Sequence, residues 1–433
     1  MAMQKAKDLS DFYKVFYPDS LKEEDMEEFY CGDTMRYRTG NEIKSPINEI
    51  YKIMKSDLGK NAVLLLGHRG CGKSTELMKL KSDLIDEKYR VESIDCKLEM
   101  DLLNAEYWDF FILITQKLIE IAKKLECEID KTIIRRAVSY WDNKSITEAF
   151  TEAAGYGIES ELSAGVGLKG LLGMFMKISG HITNNSETRT EIRKQVKNKS
   201  DEWIAIITSI TTTIQSKSNG KKPILIFEEI DKMDPKLAMD IFYNNASSFS
   251  QLPFKAIYTF PINLFYSEKF TTLKGYFEHK VLPMIKVHNK DMSENTDGIN
   301  IIKNIVYKRA DEHFFEDGVL DKMIKKTGGA LRDLFEVIRN AGSMSDDRKM
   351  DKICEKDANY ALMELKSDLT RLIEVRNYDF LKDVYNKKQQ IPDSDMLLKF
   401  MEALVILEYN GERWHDLHPL IYDFLNDQGW FDE

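Results

Sequence analysis

The octapeptide Gly67-His68-Arg69-Gly70-Cys71-Gly72-Lys73-Ser74 constrains this chain more than any other stretch. It satisfies G-x-x-x-x-G-K-[ST], the phosphate-binding P-loop, a pattern that has meaning only between a strand and a helix. Both flanks comply. Ala62 to Leu66 is a short apolar run of strand type, and from Lys73 onward Leu77, Met78, Leu80, Leu84 and Ile85 recur at helical spacing. A loop that enters a helix N-terminus turns several backbone N–H groups toward one point, where the helix dipole favours an anion. Gly67, Gly70 and Gly72 let the backbone close around a phosphate with no Cβ in the way. Lys73 is then expected to reach the β- and γ-phosphates of a nucleotide and Ser74 to hold Mg2+, with His68, Arg69, Cys71 and Thr75 completing the cofactor-binding set.

A second element follows far downstream. Pro223-Ile224-Leu225-Ile226-Phe227-Glu228-Glu229-Ile230-Asp231 reads as an apolar strand that ends in paired carboxylates. One acid at a strand end can hold the metal and its water shell, and its neighbour can orient or deprotonate an attacking water. Glu228 is assigned to the metal and Glu229 to the water, with Asp231 a third acid nearby. Phe254 to Phe260 gives another strand, on which Thr259, or failing it Asn263, is the small polar residue expected between the P-loop and the acidic strand. Val91 to Cys96 supplies one further strand and Leu282 to Val287 a fifth. Strands alternating with helices imply an α/β fold, a P-loop NTPase core with a parallel sheet and its ligand at the strand carboxyl ends.

The rest divides around that core. Residues 1–45 form a polar and aromatic N-terminal arm, and 46–290 the P-loop core, which contains a Gly-rich helical insertion at 127–199. Residues 291–345 form a helical lid and 346–433 a C-terminal winged-helix-like domain. Arg38-Thr39-Gly40-Asn41-Glu42 either packs beside an adenine or is a solvated turn before a helix. Trp108, Phe110 and Phe111 read as core rather than as a platform for bases. The insertion carries a short apolar run, Leu171 to Ile178, interrupted by Lys169 and Lys177 and too short to span a membrane; a flap over the nucleotide, a partner contact and a surface membrane helix are open, with protein packing favoured. Arg189, Arg193, Lys194, Lys197 and Lys199 form a small basic patch, read as a solvated helix face. Gly328-Gly329 ends one lid helix and starts the next, which sets Arg332 on a first turn from which it can reach back toward the γ-phosphate. Near the end, Leu404 to Glu408 and Arg413 to Leu417 flank an Asn-Gly turn and read as a hairpin. His418-Pro419 then opens a helix.

Charge narrows the partners. The chain of 433 residues carries a formal net charge of −10, which argues against nonspecific coating of nucleic acid. From Leu381 to Glu433 five basic residues face eleven acidic ones, so the C-terminal domain repels phosphates and nucleic acid is disfavoured as its partner. The five cysteines are odd in number and far apart with no C-x-x-C spacing, so neither a disulfide framework nor a zinc site is indicated and a reducing cytoplasm fits best. The N-terminus runs straight into charged residues, unlike a secretory leader.

With these elements in order, the chain resembles the P-loop ATPases of the AAA+ and STAND groups. Its likeness is strongest to bacterial proteins between the Orc/Cdc6-type initiators and the signalling STAND switches, over roughly Arg38 to the C-terminus apart from the insertion. The resemblance implies ATP and Mg2+ as cofactors and an ATPase core, lid and C-terminal winged helix. Gly67 to Ser74 match the first loop and Ile224 to Glu229 the Walker B strand. Ala256 to Thr259 match the first sensor strand, and Arg332 the second sensor. It also implies that a histidine of the C-terminal domain reads the nucleotide, His418 or else His415, although a helix-capping role for His418 is equally open. Two departures matter. Glu228 stands where the family has Asp, and there is no arginine between Arg193 and Arg309, the interval from which AAA+ rings supply an arginine finger. A finger is worth about 10³ to 10⁵ in rate. A slow nucleotide-dependent switch, in a bacterial regulatory or antiphage-defence setting, is therefore expected over a fast ring motor. An initiator-like DNA-associated remodeller and a non-hydrolysing scaffold are the alternatives.

Overall fold

A computed structural model describes residues 3–32, 38, 45–85, 88–139, 172–173, 175–176, 189–190, 192–194, 197, 200–389, 395–409 and 413–431. The Gly-rich apolar run and the Asn410-Gly411 turn thus lie outside the described residues, apart from Leu172, Gly173, Phe175 and Met176.

Five parallel strands form the central sheet: β1 (Ala62–Gly67), β2 (Tyr89–Asp95), β3 (Lys222–Glu228), β4 (Lys255–Pro261) and β5 (Glu278–Val281). They are ordered β2-β3-β4-β1-β5. The inner strands β1, β3 and β4 read as near-continuous apolar runs because both faces are covered, as a parallel sheet requires, while the edge strands β2 and β5 carry Arg90, Glu92, Glu278 and Lys280. Successive side chains nevertheless part to opposite sides. Leu64, Leu66, Phe227 and Tyr258 join one core with the helices Tyr107–Lys124 and Ser200–Lys217. Val63, Leu65, Ile226 and Ile257 join another with Pro46–Lys55 and the P-loop helix Lys73–Leu84. Each fully buried Leu, Ile or Phe stabilises this sandwich by roughly 1.5–3 kcal/mol. Phe110 and Phe111 are buried in the first core, as expected of core aromatics.

The fifth strand is displaced from its expected place at Leu282 to Val287: it is Glu278–Val281, paired with β1 from Val63 to Leu66. Leu282 still donates to the Leu66 carbonyl at 2.8 Å, but Pro283 after it cannot donate to a ladder. Leu282, Met284, Ile285 and Val287 are buried all the same, as an extended segment beneath the lid.

Three lid helices, Thr296–Tyr307, Val319–Lys326 and Leu331–Asp347, pack around a separate core. The N-terminal arm belongs to that core. Phe12 and Phe16 are fully buried, with Phe12 against Phe314 and Phe315 and Phe16 against Phe335. Beyond the helix Glu355–Thr370 come Tyr378–Lys387 and Asp395–Glu402, then β6 (Ile406–Tyr409) antiparallel to β7 (Trp414–Leu417), then Pro419–Asp427. Phe400, Ile406, Leu417 and Ile421 are continuous with the sheet's first core, so this module sits against the sheet rather than apart from it.

Candidate functional site

The strand order brings the separated motifs together. β4 lies between β1 and β3, with Leu65 opposite Thr259 and Gly67 opposite Pro261. Thr259 therefore stands between the P-loop and the acidic strand, as the sequence suggested. Asn263 is buried, but its side chain faces the Leu398 carbonyl of the C-terminal module at 3.4 Å. On the far side of β3, Asp95 at the end of β2 is in register with Glu228.

The P-loop takes the conformation its glycines permit. Gly70 and Gly72 have φ of 77° and 96°, values that other L-residues reach only with strain. A Cβ on Gly72 would lie 3.3 Å from Nη2 of Arg38, and one on Gly67 2.7 Å from the Leu282 carbonyl oxygen. A Cβ on Gly70 would overlap that of Arg332, so the lid arginine sits directly on the loop. Cys71 is buried with its Sγ 3.5 Å from the Leu282 carbonyl oxygen, a packing role.

Lys73 is buried and paired with Asp231 at 2.8 Å. Burial opposes its charge, yet the facing carboxylate keeps the ammonium pKa above its ordinary value. Asp231 shows the complementary effect: burial opposes ionisation, while Lys73 and a hydrogen bond with Thr259 hold it down. The Thr259 oxygen also accepts the Ile230 N–H at 3.1 Å. Burial pushes Glu228 up to about 7 against a lowering hydrogen bond with Ser74, and Glu229, Asp95 and Asp231 add like charge. Glu229 adopts a left-handed φ of 72° and ion-pairs with Lys232. Such a conformation costs roughly 1–3 kcal/mol and persists where surrounding structure imposes it.

Lys73, Asp231 and Glu229 face a cavity of about 580 Å3, within the range of small-molecule sites, whereas Glu228 and Thr259 lie behind them and are not among its lining residues. Gly70, Gly72, Lys73, Ser74, Thr75, Arg38, Arg69, Glu229, Asp231 and Arg332 line it. Arg38 is fully buried, donates from Nη1 to the Pro283 carbonyl at 2.7 Å, and leaves its Nε without a partner among the described residues. The cavity's composition fits a nucleotide: a glycine cradle that a Cβ would fill, an ammonium at the helix mouth, and an orphaned buried guanidinium N–H. For a divalent cation the neighbouring oxygens of Ser74 and Glu228 fit as two ligands. No cluster of three or more His, Cys, Asp or Glu suited to a metal occurs among the described residues.

Several neighbours escaped sequence reasoning. Pro18 to Lys22 and Phe29 to Cys31 of the arm, with Ile305, Arg309 and Phe335 of the lid, form the cavity's other wall. Tyr30 fastens the arm to the P-loop helix by donating to Glu76 at 2.9 Å. Nor was the use of the P-loop's variable residues foreseen. His68 Nε2 accepts the Glu408 N–H of β6 at 2.8 Å, and Arg69 pairs with Glu402 at 3.3 Å. Burial first, then Lys73 and His415, depress the His68 pKa to about 3, so the ring is neutral and free to accept.

His418 is not among the residues lining the cavity. It caps the last helix by accepting the Leu420 N–H at 3.2 Å and faces Asp333 of the lid at 3.7 Å. His415 hydrogen-bonds Tyr266 at 2.7 Å, also away from the cavity. Part of the expected basic patch is likewise engaged: Arg189 pairs with Asp101 at 3.0 Å and Arg193 with Glu106 at 2.9 Å. All five cysteines are free, and no helix among the described residues is long and apolar enough to cross a membrane.

No protein-family model and no curated protein matches the sequence. Solved structures similar to it along nearly the whole chain include the Aeropyrum pernix ORC2 protein in its ADP form. That likeness has 10% identity, covers 98% of each chain and has a TM-score of 0.42. The Aeropyrum pernix ORC1 protein in complex with DNA is similar at 10% identity, with 97% of each chain covered and a TM-score of 0.40. The Thermotoga maritima RuvB Holliday junction branch migration motor is similar at 11% identity, with 91% of this chain and 99% of that one covered and a TM-score of 0.35.

Proposed function

We propose that the protein is an ATP-binding, slowly hydrolysing ATPase that acts as a nucleotide-dependent switch, in which the P-loop's occupancy sets how the C-terminal module is docked and so controls partner binding or self-assembly. One observation carries this reading. The loop whose backbone would close on phosphates also grips the module, through the bond from the Glu408 N–H to His68. A change in the backbone of Gly67 to Gly72 cannot leave that contact untouched.

Gly67 to Thr75 and Arg38 would hold the nucleotide, with Ser74 and Glu228 as the Mg2+ ligands. Bound ATP supplies the phosphoanhydride bond, and Mg2+ supplies the charge that offsets its phosphates. Glu229 would orient water, and Thr259 and Arg332 would read the terminal phosphate. Slow turnover is supported by Glu228 in place of Asp and by the pairing of Glu229 with Lys232. The lack of any arginine between Arg193 and Arg309 supports it too. The acidic C-terminal module, which we read as winged-helix-like, favours a protein partner or a second copy over duplex DNA.

The test is to size the full chain with no nucleotide, with ADP and with a slowly hydrolysed ATP analogue, for the wild type and Lys73→Ala. A nucleotide-dependent change in size or shape that Lys73→Ala abolishes supports the switch. Unchanged ATP affinity in Lys73→Ala would sink it.

A further inference from the structure

Asp231, in the turn after β3, pairs with the P-loop lysine although no role above uses it. A lysine ammonium has three N–H donors, and in this structure each has a partner. They are the carbonyl oxygens of Gly67 at 2.8 Å and His68 at 2.9 Å, and the Asp231 carboxylate at 2.8 Å. Thr259 lies beside the same carboxylate, helping to hold its pKa down, and accepts the N–H of the adjoining Ile230 at 3.1 Å. One buried side chain thus occupies both the ammonium at the helix mouth and the small polar group at the end of β4. To both of them a carboxylate oxygen and a phosphate oxygen are alike, charged acceptors of short hydrogen bonds.

We propose that Asp231 is the residue by which the site discriminates a nucleoside triphosphate from a diphosphate, its carboxylate standing in for the terminal phosphate on Lys73 and Thr259. Lys73 and Thr259 must both exchange Asp231 for phosphate oxygens when a triphosphate binds. With a diphosphate Asp231 stays beside Thr259. This assignment rests on the nucleotide-binding reading above and adds to it a reason for triphosphate and diphosphate to leave different structures behind. Asp231 lies in the tight turn Ile230–Lys232, which is entered through Glu229 in its left-handed conformation and closed by the pair between Lys232 and Glu229. Withdrawing Asp231 moves that turn, and with it Glu229. The acid assigned to the attacking water is therefore released from Lys232 only in the triphosphate state.

The experiment measures calorimetric Kd values of the full chain for ADP and for a slowly hydrolysed ATP analogue, with Mg2+, in the wild type, Asp231→Asn, Asp231→Ser and Lys73→Ala. Removing the carboxylate charge frees Lys73 for either nucleotide but Thr259 for the triphosphate alone, so the analogue should tighten about tenfold or more relative to ADP and their ratio should shift. An unchanged ratio, or weaker binding of the analogue in both Asp231 variants, would overturn the proposal. Lys73→Ala separates the two levels. If it binds like the wild type, the nucleotide reading itself fails. If it loses binding while the Asp231 variants keep the wild-type ratio, only the assignment of Asp231 fails. Because Asp231→Asn leaves a buried ammonium without its counter-ion, thermal melts accompany the titrations. The analogue should raise the melting temperature of the Asp231 variants by more than it raises that of the wild type, and an equal or smaller rise counts against the proposal.

Discussion

The lid's seat on the P-loop can be tested with two glycines that share a backbone conformation and differ in surroundings. Gly70 has φ 77° and Gly318 φ 73°; a Cβ at Gly318 meets nothing within 4 Å, whereas one at Gly70 overlaps the Cβ of Arg332. Gly318→Ala should therefore cost only the left-handed penalty, about 1–2 kcal/mol. Gly70→Ala carries the same penalty plus the overpacking of a tight contact, about 1–3 kcal/mol, for a total of about 2–5 kcal/mol. The assay is urea unfolding of the nucleotide-free protein, where binding plays no part. A double-mutant cycle assigns the excess: Arg332→Gly removes the opposing Cβ, so Gly70→Ala made on that background should cost about as little as Gly318→Ala. If Gly70→Ala and Gly318→Ala destabilise equally, or if the excess survives Arg332→Gly, the lid does not rest on the loop as described.

The docked C-terminal module should be acid-sensitive. His68 and His415 are held down to about 3 and about 4 by burial first. Below the ordinary histidine value of about 6.5 the unfolded chain therefore binds protons that the folded one refuses. Their stabilisation is complete above that pH and is lost as pH falls toward the folded values, at up to about 1.4 kcal/mol per unit and per histidine. Urea midpoints from pH 7.5 to 5 should show this slope, and His68→Gln, which keeps an acceptor for Glu408, should remove its own share. By contrast Arg69→Ala or Glu402→Ala should change stability by less than about 1 kcal/mol, since both partners of that pair are about a third exposed; a double-mutant cycle measures it. Phe12→Ala should cost about 3–5 kcal/mol for a fully buried ring and free the arm, detected as faster proteolysis between Leu9 and Tyr30.

The parts of the site that were legible in the sequence are those carried by local chemistry. The P-loop spacing, the paired acids ending an apolar strand and Thr259 each declare themselves within a few residues, and the strand order then gathers them, whereas Arg332 is a weak signal by itself and is picked out by the resemblance. What was missed depends on contacts across hundreds of residues. The arm's Phe12 and Phe16 meet Phe314, Phe315 and Phe335, and His68 meets Glu408. No local pattern announces either pairing, although two buried-type aromatics four apart in a polar arm were a signal of packing. Pro283 could have moved the fifth strand upstream, because its missing N–H forbids a ladder there. The nucleotide-sensing role for His418 came from resemblance alone. Its position before Pro419 matched a capping residue equally well, and the cap is what the fold uses.

The central claim is that the P-loop couples nucleotide to the C-terminal module, and the amide of Glu408 reports on it directly. Hydrogen exchange at that amide is gated by the bond to His68. With a saturating, slowly hydrolysed ATP analogue its protection should fall relative to the nucleotide-free protein, and Lys73→Ala should show no such response. Unaltered protection of Glu408 in a wild-type protein with the analogue demonstrably bound would contradict the coupling.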